Sequence, residues 1–447
     1  MNQPRSCYVG LDLGSQGHEV VVCDEAGQRI HRFGIGRGKG GWERLRHEID
    51  VLIGSEGQAV YTVEAAQNFW QELIHPLHAA GESVYLVDPT KCSDLRKFYH
   101  RHTKTDSIDA LATARLPLTD RNLRAVWVGT AEQESLRRLC RLSWKLTEQM
   151  CNHKRRLTTM LEMILPGIGK VWKNVYCNSA RLFYRRYLDP VCARRLGRKR
   201  LAQILRRRAW GKFSEKAEQK LWDVIINAPE LSYRYDDLVL EVQCELDMLE
   251  AVERQQQQLR ERIDELYCDV DPQRRLETVP GLGAFMAAAL TSAIGDIDRW
   301  KNADSLVAAS GLVPRKKASS GKEKTSQPLS KRGNPQLRCW LYVCAEIVRH
   351  YDPELQAFFL RLRKRGLHHK AAICAVAAKL LRRLFAVLRG QKDYKKCAAE
   401  QIQASRKKIR ESVHEVARRL LKDQPKSPPC VIKKYPPQPL EATGDSV

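Results

Sequence analysis

The sequence predicts a chain in three parts: an α/β domain first, a middle built on long helices, and a mainly α last domain. Three observations carry this. Across residues 1–125, short β-branched runs alternate with helical spacings of apolar residues. Two later stretches, 126–165 and 238–266, keep their apolar residues at helical period over many turns. From 271 to 395, Gly/Pro turns separate Ala-rich, apolar-faced helices. Beyond, over 396–447, a charged helical extension and a Pro- and Lys-rich tail are expected.

The totals narrow the partners. The chain has 447 residues, with 77 Lys and Arg against 52 Asp and Glu, a formal net charge of +25. That excess points to a polyanion, nucleic acid before an acidic membrane. No apolar run is long enough to span a membrane, and the N-terminus lacks a signal-peptide shape. The expected place is therefore the cytoplasm and its nucleoid. The 14 Cys form no C-x-x-C pair and are expected to be mostly buried thiols.

In the first domain, 6–13 (SCYVGLDL), 18–23 (HEVVVC) and 28–34 read as a β-meander with Asp12 near the end of its first strand. Residues 42–53 have helical spacing. Residues 59–64 (AVYTVE) form a buried strand ending on Glu64, 69–79 a helix, and 83–87 a further strand. Residues 91–99 are polar and basic, with no element assigned. Then comes K-T-D-S-I-D-A at 104–110. Asp106 and Asp109 stand one turn apart on one helix face, ~4.5 Å along the axis. Two acids so close repel unless a cation lies between them, and oxygen-only ligands suit Mg²⁺ or Mn²⁺. Strand ends in a mixed α/β sheet open on one cleft, so Asp12 and Glu64 are expected to meet the helical acids there. Four carboxylates can hold two divalent ions, which serve phosphodiester chemistry.

The middle, 126–270, reads as two long amphipathic helices around an insert, an arm that either folds back on itself or dimerises. The insert is rich in arginine, including Arg185, Arg186 and Arg207, interleaved with Trp172, Tyr176, Phe183, Tyr184, Tyr187 and Trp210. Arginine contacts phosphate, and exposed aromatics stack on unpaired bases.

The last domain opens with Pro280-Gly281-Leu282-Gly283 before an Ala-rich helix. The turn resembles a helix-hairpin-helix, which offers backbone N–H groups to a phosphate without reading sequence. Residues 315–338 form a polar, basic loop in which Lys316, Lys317, Lys322 and Lys324 can hold a phosphate. Ser320 before Gly321 is a candidate nucleophile, although nothing in the loop is an obvious base to activate it.

V-G-L-D-L-G-S at 9–15, T-V-E-A at 62–65 and K-T-D-S-I-D-A at 104–110 together resemble the DEDD-type insertion-sequence transposases, relatives of the pilin-gene-inverting recombinases. G-L-V-P at 311–314, S-G at 320–321 and K-R-G-N-P-Q-L-R at 331–338 resemble the signature of that family's second catalytic domain. The resemblance implies a ribonuclease H-like (RuvC-like) first domain of the Holliday-junction-resolvase type. It implies Asp12, Glu64, Asp106 and Asp109 as the metal tetrad, with Lys104 beside it on phosphate. It implies a coiled-coil linker, and Ser320 as the residue that forms a covalent phosphoserine link, with adjacent Ser319 the alternative. Asn334 and Arg338 would order the loop or hold phosphate. It further implies donor and target DNA, a dimer or tetramer, and a non-coding bridge RNA as guide. The rivals are a structure-selective nuclease using metal-activated water, and a non-catalytic nucleic-acid scaffold.

Overall fold

The computed structural model describes residues 6–54, 57–65, 69–99, 103, 105–120, 123, 125–172, 174–209, 213–315, 318–319, 322–323 and 328–394. The expected extension and tail beyond 395 lie outside the described residues. The chain divides into two compact units, Met1–Glu134 and Ser135–Val447.

The first unit is a five-stranded mixed sheet with helices on both faces. Its strands are β1 (Ser6–Leu13), β2 (His18–Cys23), β3 (Arg29–Ile35), β4 (Gln58–Glu64) and β5 (Ser83–Val87). The order is β3-β2-β1-β4-β5, antiparallel through the meander and parallel from β1 to β4 and β4 to β5. This is consistent with the ribonuclease H-like expectation. The helices are α1 (Lys39–Ile53), α2 (Gln71–Ala79), α3 (Pro89–Tyr99) and α4 (Asp106–Thr119).

Period-2 alternation sorts β1 between two faces. Cys7, Val9 and Leu11 join Leu45, Ile49, Leu73 and Ile74 in the core under α1 and α2. Tyr8 and Gly10 face α4 instead. A side chain at Gly10 would put Cβ 2.1 Å from the Ala110 carbonyl oxygen and 2.3 Å from the Ala114 amide nitrogen. Only glycine lets α4 lie directly on the strand.

The 91–99 stretch is α3, which apolar periodicity did not reveal. Its one buried residue is Cys92, so most of the helix carries no apolar stripe.

The second unit is helical. α5 (Ala131–Ile164) runs into it, and α10 (Tyr235–Val270) returns. The two are antiparallel and joined within one chain. His153 and Arg156 bond Glu245, while the Gln256 amide donates to Ser143 and Thr147. The arm therefore folds back on itself.

The insert between them is four short helices: α6 (Asn178–Arg186), α7 (Pro190–Leu196), α8 (Arg198–Arg208) and α9 (Glu215–Ile226). Phe183, Tyr184, Leu201, Leu205 and Leu221 form their common core with Leu157 and Leu161 of α5. A second core gathers α11 (Ala284–Ile294), α12 (Ala303–Ser310), α13 (Pro335–Val348), α14 (Pro353–Lys364) and α15 (His369–Gly390). Two-residue strands β6 (Ala318–Ser319) and β7 (Lys322–Glu323) lie between α12 and α13.

No described helix is long and apolar enough to cross a membrane. Among the described cysteines, Cys7, Cys23, Cys92, Cys140 and Cys344 are buried, while Cys151, Cys192, Cys244, Cys268 and Cys339 are exposed. The expectation of mostly buried thiols is corrected accordingly. The exposed ones all sit on helices that bury only one stripe.

Candidate functional site

The sheet register brings the first two acids together. Leu11 pairs with Val63 across parallel strands β1 and β4, so Asp12 and Glu64 are the next positions on each. Both fall on the sheet face that carries Gly10, under α4. Thr105 caps α4 by accepting from the Ile108 amide, which puts Asp106 and Asp109 in its first turn. Carboxylates there are favoured by the helix dipole. Asp106, Ala110 and Ala114 form one i, i+4 row, and Ala110 and Ala114 of that row lie against Gly10.

Asp12 is pushed up to about 6, first by burial and then by the charges of Asp109, Asp106 and Glu64. Glu19, paired with Asp12 across β1 and β2, is neutralised by Arg32.

Helix α3 contributes residues that sequence reasoning missed. Arg96 lies 3.2 Å from the Asp109 carboxylate and bonds Ser93 as well. Burial holds the Cys92 thiol neutral, raised to about 12. That thiol receives a bond from the Thr113 hydroxyl at 3.6 Å and is coupled to Glu64 by a side-chain hydrogen bond. The signal was present in C-x-x-x-R at 92–96, one helical turn on one face, but it carries no apolar period.

The donor set suits a hard divalent cation in charge and chemistry: four carboxylates, one of them raised to about 6 by burial and by the charges of the other three. Among the described residues no three His, Cys, Asp or Glu side chains stand as a ready metal cluster, and Asp109 is paired with Arg96. Lys104 lies outside the described residues.

In the second unit, the stretch 311–338 closes on itself at its base. Gly311 ends α12 in the left-handed region at φ 70°. Gly333, at φ 115°, passes so close to α12 that a Cβ would meet the Ala309 carbonyl oxygen at 2.1 Å. The Asn334 side chain caps α13, accepting from the Gln336 and Leu337 amides at 3.0 and 3.1 Å. Arg338 donates to the carbonyls of Ser310 and Lys331. Asn334 and Arg338 thus tie the loop's two ends to α12. From this base the chain leaves as a ribbon: Ser330 bonds Val313, Arg315 bonds Pro328, and Ser319 pairs with Lys322. Ser320, Lys316, Lys317 and Lys324 lie outside the described residues, and only the backbone of Ser319 and Lys322 is described.

The helix-hairpin-helix-like turn has the backbone its glycines suggest. Gly281 takes φ 88° against Tyr351 and Ile347, and Gly283 starts α11 with no side-chain cap.

The insert's residues divide. Arg185 is engaged by Asp247 and Glu250, and Arg181 by Glu250 and Glu253. Arg186 and Arg207 are exposed. The expected stacking surface is corrected: Trp172, Phe183 and Tyr184 are core residues packed on one another and on the apolar side chains of α5, α8 and α9. Trp210 lies outside the described residues.

Residues 9–166 match the IS110-type DEDD transposase family, described as Transposase. Residues 273–360 match the family described as Transposase IS116/IS110/IS902. The chain is 24% identical to an uncharacterised 43.6 kDa protein of insertion element IS110 from Streptomyces coelicolor, over 86% of this chain and 94% of the relative. It is 23% identical to the pilin gene-inverting protein of Moraxella bovis, over 87% and 98%. A shorter match, 30% identical, links it to the transposase of insertion element IS1328 from Yersinia enterocolitica, over 30% and 40%.

Proposed function

Since this chain belongs to the IS110 family of insertion-element transposases, we propose that it cuts and rejoins DNA through a serine nucleophile and a carboxylate-bound divalent metal. Ser320 supplies the nucleophile, and Asp12, Glu64, Asp106 and Asp109 hold Mg²⁺ or Mn²⁺. The observation that supports the reading is the β1–β4 register, which sets Asp12 and Glu64 at neighbouring strand positions on the face under α4, with Asp109 and Asp106 among the charges that raise Asp12.

When bound, the metal would supply Lewis-acid stabilisation of charge developing on the phosphate. The chain's own residues do the rest. The Cys92 thiol positions Glu64, the α4 N-terminus stabilises Asp106 and Asp109, and Arg96 balances Asp109 until it is needed. The Ser320 hydroxyl attacks phosphorus, a phosphoserine ester forms, and the DNA hydroxyl leaves carrying a proton. The energy of the broken phosphodiester is kept in the new ester, so rejoining needs no nucleotide cofactor. Lys104, Lys316, Lys317 and Lys322 are assigned to phosphate. The Gly281–Gly283 turn is assigned to sequence-neutral DNA backbone. A non-coding bridge RNA as guide, and a dimer or tetramer as the working assembly, complete the proposal.

The test is a suicide DNA substrate resolved on a denaturing gel. A protein–DNA adduct that Ser320→Ala abolishes and Ser319→Ala retains supports the proposal. Cleavage with no adduct supports metal-activated water instead. Full activity in Asp106→Ala would remove the metal tetrad from the mechanism.

A further inference from the structure

Helices α7 and α8 run from Pro190 to Arg208 with eight basic residues and no acidic one. The fold sorts them by role. On α8, Leu201, Ala202 and Leu205 face the insert core. Arg198 and Arg206 flank that face and share one partner, Glu218 of α9, at 2.9 and 2.6 Å. Lys199, Arg200, Gln203 and Arg207 lie on the opposite side and are exposed. At 3.6 residues per turn they form a single ridge. No acidic residue pairs with Lys199, Arg200 or Arg207 among the described residues. Arg194 and Arg195 of α7 are exposed on the helix just before it, across Gly197.

Among the described residues, this ridge has electrostatic work available and no internal partner for it. We infer that the Lys199–Arg200–Arg207 ridge of the insert is a docking surface for the phosphate backbone of duplex DNA. From Lys199 to Arg207 the ridge spans about 12 Å along the helix. One DNA strand carries a phosphate roughly every 3.4 Å of its axis, so three or four phosphates face the ridge.

Duplex is favoured over single strand because single-strand binding depends on exposed aromatics for base stacking. Here Phe183 and Tyr184 are fully buried and Trp172 nearly so. None of the ridge's own residues, Lys199, Arg200, Gln203 and Arg207, is aromatic, which makes it a positioning surface rather than a reader of sequence. The choice of DNA rests on the function proposed above.

The experiment is fluorescence anisotropy of the full-length protein on a random-sequence DNA duplex, titrated across salt. The triple variant Lys199→Gln/Arg200→Gln/Arg207→Gln should lower the log K against log salt slope by about 2 to 3, since each lost phosphate contact removes roughly 0.9. Its melting temperature should not change, because these side chains have no acidic partner among the described residues. An unchanged slope overturns the inference. So does a larger loss on single-stranded DNA or on duplex RNA than on duplex DNA. Arg198→Gln/Arg206→Gln serves as the contrast. It should lower melting and leave the slope near wild type, and a slope loss equal to the triple variant's overturns the ridge assignment. Adduct formation is scored separately. Absence of an adduct with a reduced slope in the triple variant would sink the serine mechanism and leave this surface standing.

Discussion

The Arg96 guanidinium stands 3.2 Å from the Asp109 carboxylate, and both side chains are about 15% exposed. A cation belonging to the chain thus already pairs with one of the four proposed metal ligands. In the proposed mechanism a metal must take Asp109 away from it. Arg96→Ala should therefore raise Mn²⁺ affinity roughly tenfold, equivalent to about 1.4 kcal/mol. Isothermal titration calorimetry measures it. Equal or weaker binding in the variant would separate Arg96 from metal loading.

Asp12 holds its proton more tightly in the fold, at about 6, than its ordinary 3.8. The folded state is thus favoured when Asp12 is protonated. That stability is full below about pH 4 and is lost as pH rises through about 6. Metal-free protein should lose thermal stability across this window. Asp12→Asn, which cannot ionise, should melt a few degrees higher than wild type at pH 7 in chelator. The gain is on the order of 1–2 kcal/mol after discounting for partial exposure. A wild-type melting temperature flat from pH 4 to 7 would contradict the carboxylate repulsion.

Gly10→Ala should be among the most damaging single changes in the first unit. The added Cβ meets backbone atoms of α4 at 2.1 and 2.3 Å, and backbone cannot rotate aside as a side chain can. The expected loss is about 3 kcal/mol or more. Thermal melting and limited proteolysis of the front of the chain report it. Wild-type melting would mean that α4 does not lie directly on β1.

Asn334 is a helix cap in this structure, bonded to two amides of α13. Asn334→Ala should cost about 1 kcal/mol of stability. Asn334→Asp, which also caps, should restore it. If Asn334 instead contacted phosphate, the aspartate would weaken DNA binding further and steepen the defect at low salt. Melting and binding measured on both variants distinguish the two roles.

The strands of the first unit, α1 and α2, the acids on β1, β4 and α4, and the two long helices were legible in the sequence. Each rests on local signals: β-branched alternation, apolar period, or a carboxylate pair at i, i+3. α3 and the four insert helices were not assigned, because their buried faces are small or their sequences are dominated by arginine. Cys92 and Arg96 were missed with α3. Their importance comes from what α4 and β4 place opposite them.

What the sequence alone determined is the inventory: which residues can carry charge, ligate a cation or cap a helix, and which segments bury a stripe. Tertiary structure decided the allegiances. Arg185 and Arg207 read alike along the chain, yet one is engaged by Asp247 and Glu250 while the other faces solvent. Trp172 and Tyr184 read as stacking surfaces and became core. The reason is physical. A side chain's partners are set by how distant turns of chain pack together, and local periodicity holds no record of that packing.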